Sequence, residues 1–377
     1  MTTATAATAS TDAPPAPVPA ASLGRWTGRQ LDPRDNSLNL VRLVLAASVL
    51  VHHAYPLGGF EGHPELLNTR LGGWAVFGFF CVSGYLITGS RQTKDLGSYL
   101  VHRAARIYPA FWVCLVVVAL VFAPVEYLVS RGTLDGFLTG GPVPPLDHIV
   151  SNLTLRIGSY QVGETLADNP YPYAWNGSLW TLYYEFVCYI MIALCAATAW
   201  WRRTWLVPAV GFAASVAWFA LWPSLGVYIG QDADVANLSS LLPFFLGGAL
   251  VHSLRSRLPL HWAGALVATA ITCAAALLQP LWGLQLAAPF FTYALLWVGS
   301  AVCSPRWFQR NDLSYGVYIY AFPVQQLLAA LGAARWGLWP YMGLTVLVTV
   351  PLAAASWYLV ERPVMHRVRR QPRRSQR

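Results

Sequence analysis

Ten apolar segments, each close to twenty residues long, dominate this sequence and restrict what it can fold into. A helix needs about 20 predominantly apolar residues to cross the roughly 30 Å hydrocarbon core of a bilayer. We therefore predict an all-α integral membrane protein with about ten transmembrane helices. The segments cover residues 38–56, 72–90, 107–125, 177–200, 205–222, 237–253, 260–279, 284–303, 313–333 and 340–360.

The composition excludes an ordinary soluble globular protein. Hydrophobic residues make up 56% of the chain and charged residues only 11%, against about 25% charged residues in a typical soluble domain. The net charge of +9 comes almost wholly from arginine, since Lys94 is the only lysine. These basic residues lie between the apolar segments, which is typical of a membrane protein. We therefore expect membrane lipids around the chain and no nucleic-acid partner.

The positions of the basic residues predict the orientation. With a cytosolic N-terminus, twenty Lys and Arg residues lie on the cytosolic side and four lie on the outer side. Cytosolic loops of membrane proteins carry such an excess of basic residues. The bias favours an even number of spans with both termini cytosolic, in a multi-pass protein of the cell inner (plasma) membrane.

Three regions follow from this topology. Residues 1–36 are rich in Ala, Thr and Pro and lack an apolar block, which indicates a disordered cytosolic tail. Residues 37–362 form the polytopic membrane domain, and residues 363–377 form a basic cytosolic tail. Within the membrane domain, the outer loop 126–176 is too long for a plain connector, so its prolines and aromatic residues predict a folded cap or a re-entrant piece over a cavity.

The first apolar segment carries two unusual polar residues. Arg42 and His53 are eleven residues apart, which is about three turns plus roughly 20°, so both share one helix face about 16 Å apart along the axis. His52 points roughly 100° away from that face. A charged residue within a membrane helix is costly and usually faces a protein interior or a wet cavity with a functional use. By contrast, the six cysteines lie in apolar runs without a CxxC pair, so we read them as core residues and expect no metal.

Six motifs occur in an order that resembles the membrane acyltransferase 3 family. Arg42 and His53 are followed by FFCVSGYLIT at 79–88, YLVHRAARIYP at 99–109 and NGSLWTLYYEFVCY at 176–189. LSYGVYIYAFPV at 313–324 and VERPV at 360–364 complete the set, and the resemblance covers nearly all of 36–366. It implies an O-acyltransferase that moves an acyl group, usually acetyl, from acyl-CoA onto a carbohydrate or lipid acceptor. Many relatives carry a histidine just before the Phe-Pro of the late motif, where this chain has Ala321.

Acyl transfer to a hydroxyl needs a base that removes the hydroxyl proton, and histidine suits this task because its pKa lies near neutrality. His53 is our candidate base, with a structural membrane histidine as the alternative. The base also needs a partner that orients its ring and stabilises the imidazolium. Glu185 has the charge and the approximate depth for this role, although it could instead pair with a buried arginine.

The remaining candidates concern the donor. The resemblance implies that Arg42 helps to hold it, and a helix-packing ion pair is the alternative. Arg103 and Arg106 lie three residues apart on one face at the cytosolic mouth, where arginine suits the phosphates of coenzyme A. Arg91 joins them, although topology alone also places arginines on this side. Ser83, beside a glycine that favours close helix approach, is assigned to the same donor site, and a nucleophilic role for it is less favoured.

These roles predict a route through the membrane. The acyl-CoA (acetyl-CoA) donor docks at the cytosolic face, its arm passes Arg42, and the thioester reaches His53. The acceptor enters beneath the 126–176 loop, where Tyr160, Tyr171, Tyr173 and Trp175 would suit stacking on sugar rings. We favour the sugar of an exopolysaccharide or its lipid-linked precursor, with a small secondary metabolite or a membrane lipid as the alternative acceptors. A proton-coupled transporter or flippase that uses the same Arg, His and Glu is the alternative, and the oligomeric state is left open.

Overall fold

The structure, a computed structural model, describes residues 30–32, 35–198, 201, 204–228 and 230–370. This part of the chain is helical apart from loops and one short antiparallel pair, β1 (Glu65–Leu66) and β2 (Thr69–Arg70). Most of the predicted N-terminal tail (1–29 and 33–34) and the end of the C-terminal tail (371–377) lie outside the described residues. The same holds for Arg202 and Arg203, which counted toward the predicted orientation.

The helices follow the predicted apolar segments. Two π-helical stretches, Val118–Phe122 and Ser356–Glu361, continue one helix into the next, and a 3-10 turn, Gly177–Leu179, precedes α6. The helices are α1 (Leu38–Gly58), α2 (Leu71–Thr93), α3 (Leu96–Val117), α4 (Ala123–Arg131), α5 (Pro145–Ser151), α6 (Trp180–Cys195), α7 (Leu206–Leu225), α8 (Ala233–Ser253), α9 (Trp262–Leu278), α10 (Gly283–Leu286), α11 (Ala288–Ala301), α12 (Arg306–Arg310), α13 (Ser314–Ala330), α14 (Leu338–Ala355) and α15 (Arg362–Arg370).

Seven helical segments in the described residues are long and apolar enough to cross a membrane, which establishes a multi-pass helical protein. The predicted count of ten stays a prediction, because α9, α11 and α13 have 17, 14 and 17 residues. Helix α13 differs from the long spans in its burial, since every residue from Ser314 to Gln326 is buried. A helix enclosed by other helices does not need an apolar surface toward lipid.

Close contact between α2 and α8 organises the centre of the bundle. A Cβ atom on Gly84 would lie 1.9 Å from the carbonyl oxygen of Phe245, and one on Gly248 would lie 2.2 Å from that of Cys81. Glycines at both crossing points let the backbones approach directly. This approach confirms the close helix packing expected at Ser83–Gly84, and it fixes the position of Ser83 relative to the neighbouring helices.

The loop between α4 and α6 is folded and carries its own small core. Leu155, Leu166 and Trp175 are fully buried, and α5 contributes the buried His148. The Trp175 indole N–H donates to Thr165 Oγ1 at 2.7 Å. We call residues 132–176 the outer cap, because they lie on the side of the bundle that the sequence predicts to be outer.

Candidate active site

The two polar residues of α1 lie at opposite ends of the helix and meet different neighbours. Arg42 forms an ion pair and hydrogen bond with Asp312, which lies just before α13. Their side chains are 20% and 9% exposed, respectively. Sequence analysis left open whether Arg42 binds donor or an internal acid, and the structure gives it an acidic partner.

A second arginine joins this pair. Arg106 on α3 donates from Nη2 to Asp312 at 2.6 Å and from Nη1 to Glu361 at 2.8 Å. Glu361 closes the π-helical stretch after α14 and also accepts a hydrogen bond from Ser356 at 3.0 Å. We call Arg42, Arg106, Asp312 and Glu361 the buried ion network. Its charges are paired, as burial of ionic groups requires.

Sequence analysis missed Asp312 as a site residue. Its position in the sequence could have indicated it, because Asp312 is the acidic residue immediately before the LSYGVYIYAFPV motif. Ser314 donates to Asp312 Oδ1 from both its backbone N–H and its hydroxyl, at 3.1 and 2.5 Å. Burial disfavours the charged carboxylate, yet Arg42, Arg106 and these two hydrogen bonds hold the pKa of Asp312 below its usual value. The carboxylate is therefore a fixed negative centre between two guanidinium groups.

A cavity of about 610 Å³ opens beside this network, and we call it the basic cavity. Positively charged side chains lie close together in the wall of this cavity. Partial burial and the nearby charges of Arg103 and Arg369 lower the pKa of Lys94, because both disfavour its charged form. The Nε atom of Arg103 is buried without a hydrogen-bond partner among the described residues. An anionic ligand would offset the repulsion between these positive charges and would accept a hydrogen bond from Arg103. The charged lining consists of Arg42, Lys94, Arg103, Arg106, Arg310, Asp312, Arg362 and Arg369, with His102 and His366.

Arg91 was predicted to join this group, but it does not line the basic cavity. Its guanidinium donates to the backbone carbonyls of Ala193 at 3.3 Å and Lys94 at 2.9 Å. Arg91 therefore ties the end of α2 to α6 in this structure. Its predicted contact with the donor stays a prediction.

The predicted contact between Glu185 and His53 does not occur among the described residues. Its Oε1 atom accepts hydrogen bonds from Ser83 at 2.7 Å and from Tyr189 at 2.5 Å. A narrow cavity of about 30 Å³ lies between Glu185, Arg42 and Tyr318, while Ser83 and Tyr189 line the basic cavity. Arg42 lines both cavities, so the narrow cavity lies next to the basic cavity. The sequence placed Glu185 by depth alone and could not determine which way its side chain turns.

His53 is half-buried at the other end of α1. Its ring lies 5.0 Å from Phe322 in an edge-on contact and 5.2 Å from His52, centroid to centroid. Phe322 in turn contacts Tyr171 of the outer cap at 6.1 Å. No hydrogen bond to the imidazole of His53 occurs within the described ranges, so its nitrogens are available to a ligand.

Helix α13 holds the outer cap over this end of α1. Gln326, which is fully buried, donates from Nε2 to the carbonyls of Tyr171 and Ala174, each at 2.7 Å. Asn169 donates back to Gln326 Oε1 at 2.8 Å. Tyr171 and Tyr173 remain about half exposed, at 45% and 47%. Trp175 is fully buried, so the expectation that it stacks on a sugar is wrong.

Comparisons with known proteins agree with this architecture. A family model described as an acyltransferase domain matches residues 35–359. The chain is 29% identical to an O-acetyl transferase of Shigella phage Sf6 over 359 residues, which cover 89% of this chain and 97% of that protein. It is 28% identical to Nodulation protein 10 of Rhizobium leguminosarum bv. viciae over 371 residues, which cover 88% and 93%. No solved structure gives a significant match. This chain therefore belongs to the acyltransferase 3 family and is a membrane enzyme that transfers acyl groups.

Proposed function

We propose that this enzyme transfers an acetyl group from cytosolic acetyl-CoA to a hydroxyl of a carbohydrate, such as an exopolysaccharide or its lipid-linked precursor, at the plasma membrane. One observation carries the donor assignment: the basic cavity leads to Arg42 on the same helix as His53. Coenzyme A is a polyanion with a long, thin arm, which suits a wide basic cavity beside a narrower one that shares Arg42 with it. The O-acetyl transferase relative supports acetyl as the acyl group.

The donor phosphates would bind in the basic cavity. Arg103 and Arg369 offer guanidinium groups there, and such groups bind phosphate through two parallel hydrogen bonds. Arg42 and Arg106 are held by Asp312 and Glu361, which fixes their positions before the donor arrives. We assign Arg42 to the pantetheine arm, since it lines both the basic cavity and the narrow cavity.

His53 is the proposed general base. It accepts the proton of the acceptor hydroxyl while the hydroxyl oxygen attacks the thioester carbonyl carbon. The tetrahedral intermediate then collapses, the C–S bond breaks, and the coenzyme A thiolate takes up the proton. The products are the O-acetyl ester and free coenzyme A. In our proposal Glu185 positions Ser83 and Tyr189, which donate hydrogen bonds to it and line the basic cavity where the donor binds.

The acceptor would enter beneath the outer cap. Tyr171 and Tyr173 present exposed rings there, and Tyr171 contacts Phe322, the neighbour of His53. Aromatic faces suit the apolar face of a sugar ring, while their hydroxyls form hydrogen bonds. This arrangement supports a carbohydrate acceptor on the outer side.

Coenzyme A release from acetyl-CoA by the purified protein in nanodiscs tests the donor and the base together. We expect slow thioester turnover by the wild type and loss of at least about a hundredfold in His53→Ala, the scale of a missing general base. His63→Ala is the matched control, because His63 is exposed at the same end of the bundle. If the folded wild type does not turn over acetyl-CoA, or if His53→Ala retains full activity, the proposal is wrong.

A further inference from the structure

A second cavity of about 660 Å³ lies next to the basic cavity at the predicted cytosolic end. It is enclosed by the start of α1 and the ends of α2 and α8. Asn39, Leu86 and Gln309 line both cavities, so the two are neighbours across these side chains. We call it the amide cavity, because Asn36, Asn39, Gln92 and Gln309 contribute side-chain amides to its wall.

The amide cavity differs from its neighbour in chemistry. Among the described residues, Arg255 is the only Lys, Arg, Asp or Glu that lines it, so these residues do not attract a polyanion as the basic cavity does. Leucines form much of its wall, including Leu38, Leu258 and Leu296. A neutral, partly apolar group with a few hydrogen-bonding atoms would suit these walls.

The amides retain hydrogen-bonding atoms that the described residues do not use. Asn39 donates from Nδ2 to the carbonyls of Phe308 and Gln309 at 3.0 and 3.1 Å, and the described hydrogen bonds leave its Oδ1 acceptor unused. Gln92 Oε1 accepts from His252 Nε2 at 3.3 Å, and its Nε2 donor is likewise unused. The wall thus offers one amide acceptor and one amide donor to a ligand.

His252 adds a third polar atom to this wall. The residue is 7% exposed, and its Nδ1 atom is buried with no hydrogen-bond partner among the described residues. With the proton on Nε2, as the contact with Gln92 requires, Nδ1 is an acceptor. Gly89 makes room for the ring, because a Cβ there would lie 2.6 Å from His252 Cε1. Buried polar atoms are usually paired, so this unpartnered acceptor, on a residue that lines the cavity, could take a hydrogen bond from a ligand after a small shift of the ring.

We propose that the amide cavity binds the adenine of the acyl-CoA donor. Adenine is neutral and flat, its amino group donates hydrogen bonds, and its ring nitrogens accept them. Its amino group can donate to Asn39 Oδ1 or His252 Nδ1, and a ring nitrogen can accept from the Gln92 amide. The adjacent basic cavity then receives the phosphates, and the pantetheine arm continues past Arg42. This inference rests on the proposed use of acyl-CoA.

Two donors that differ by the nucleoside test it directly. Acetyl-CoA carries adenosine, whereas S-acetyl-4′-phosphopantetheine keeps the reacting thioester and the arm but lacks it. Ser90 lines the amide cavity and is half-buried, so Ser90→Trp would fill the space. We expect this variant to raise the KM for acetyl-CoA by about tenfold, which corresponds to roughly 1.4 kcal/mol. The KM of this variant for acetyl-phosphopantetheine should stay within about twofold of the wild-type KM, a much smaller change than the roughly tenfold rise for acetyl-CoA.

Ser130→Trp is the matched control, because Ser130 is exposed on α4, away from both cavities. If Ser90→Trp is poorly folded, Gln92→Leu removes the amide donor with little change in volume, and the same loss of preference for acetyl-CoA is expected. If a variant keeps the wild-type preference for acetyl-CoA, or if its KM rises equally for both donors, the adenine assignment is wrong. The proposed function would be unaffected by either result. A wild type that uses neither donor overturns the proposed function itself.

Discussion

Arg42 on α1 and Asp312, just before α13, form an ion pair within the bundle, and Arg106 binds the same Asp312 oxygen. Helix α1 also carries His53, so this pair fixes the helix that presents the proposed base. Gln325 of α13 adds a second link, since its Nε2 donates to the carbonyl of Leu50 at 2.9 Å. Helices α1 and α13 are therefore held together near Arg42 and near Leu50, at the proposed donor end and toward the proposed acceptor end of the site.

Replacing Asp312 with asparagine should destabilise the protein strongly. The change keeps the shape of the side chain but leaves Arg42 and Arg106 without their shared charge, and breaking a buried pair costs roughly 3 kcal/mol or more. Thermal unfolding in detergent measures the effect. Asp168→Asn, at an exposed position of the outer cap, is the control and should change stability by less than about 0.5 kcal/mol. Equal effects of the two substitutions would contradict a structural role for the ion network.

Arg103→Gln should weaken donor binding without slowing the chemical step. The buried Nε of Arg103 on α3 has no hydrogen-bond partner among the described residues, and it belongs to the basic cavity, which Arg42 lines and His53 does not. We expect the KM for acetyl-CoA to rise about tenfold with kcat nearly unchanged, since phosphate binding is common to ground and transition states. Raising the salt concentration should reduce this difference. Arg335→Gln, exposed after α13, is the control, and a fall in kcat alone for Arg103→Gln would refute the assignment.

Glu185 and Ser83 should behave as one unit in a double-mutant cycle. Ser83 donates its hydroxyl hydrogen to Glu185 Oε1, so removal of either residue breaks the same hydrogen bond. We expect Glu185→Gln to lower kcat/KM by about tenfold and Ser83→Ala to add little in that background. Strictly additive effects on kcat/KM would show that this hydrogen bond does not contribute to the transfer.

Sequence reasoning succeeded where the information was local. The helical period placed Arg42 and His53 on one face of α1, and the small residues at Ser83–Gly84 indicated the close approach that Gly84 makes to Phe245. It failed where partners are distant in sequence. Asp312 is 270 residues from Arg42, and no periodicity reports such a contact. Glu185 was placed at a plausible depth, but its carboxylate binds Ser83, which lies 102 residues away in the sequence.

Burial was equally hard to read from composition. Trp175 looked like its exposed neighbours Tyr171 and Tyr173, yet it fills the core of the outer cap. The aromatic residue type is the same for a ring that binds a sugar and for one that packs a loop. The length of the loop predicted a folded cap, while the fold of that cap decided which of its rings remain available.

Gly84→Ala should destabilise the bundle, since the new methyl group would meet the Phe245 carbonyl oxygen at 1.9 Å and separate α2 from α8. Overpacking of this kind typically costs roughly 1–3 kcal/mol. Gly343→Ala on α14 is a matched control with open space around the added methyl group. It should stabilise its helix by roughly 0.5–1 kcal/mol, because alanine loses less backbone entropy on folding. The unfolding temperature of each variant in detergent measures these effects. If both substitutions change that temperature in the same direction, the packing argument is wrong.

Acid should loosen the outer cap through His148. Burial lowers the pKa of this histidine to about 4, although a hydrogen bond from Nδ1 to the Gln161 carbonyl, at 2.9 Å, acts in the opposite direction. An unfolded cap binds a proton at His148 below about pH 6.5, whereas the folded cap resists protonation until about pH 4. Stability should therefore be unaffected above pH 6.5 and fall progressively between pH 6.5 and 4, by at most roughly 3 kcal/mol.

Hydrogen exchange of residues 145–165 at pH 7.0 and 5.0 measures this loss. After correction for the intrinsic exchange rate, the wild type should lose protection at pH 5.0. His148→Asn keeps an amide that can donate to Gln161 but cannot be protonated, so its protection should not depend on pH in this range. His63→Asn, at an exposed position on the same side, should behave as the wild type. A pH-dependent loss that persists in His148→Asn would assign the effect to another group, because His148 is the titrating histidine buried inside the cap.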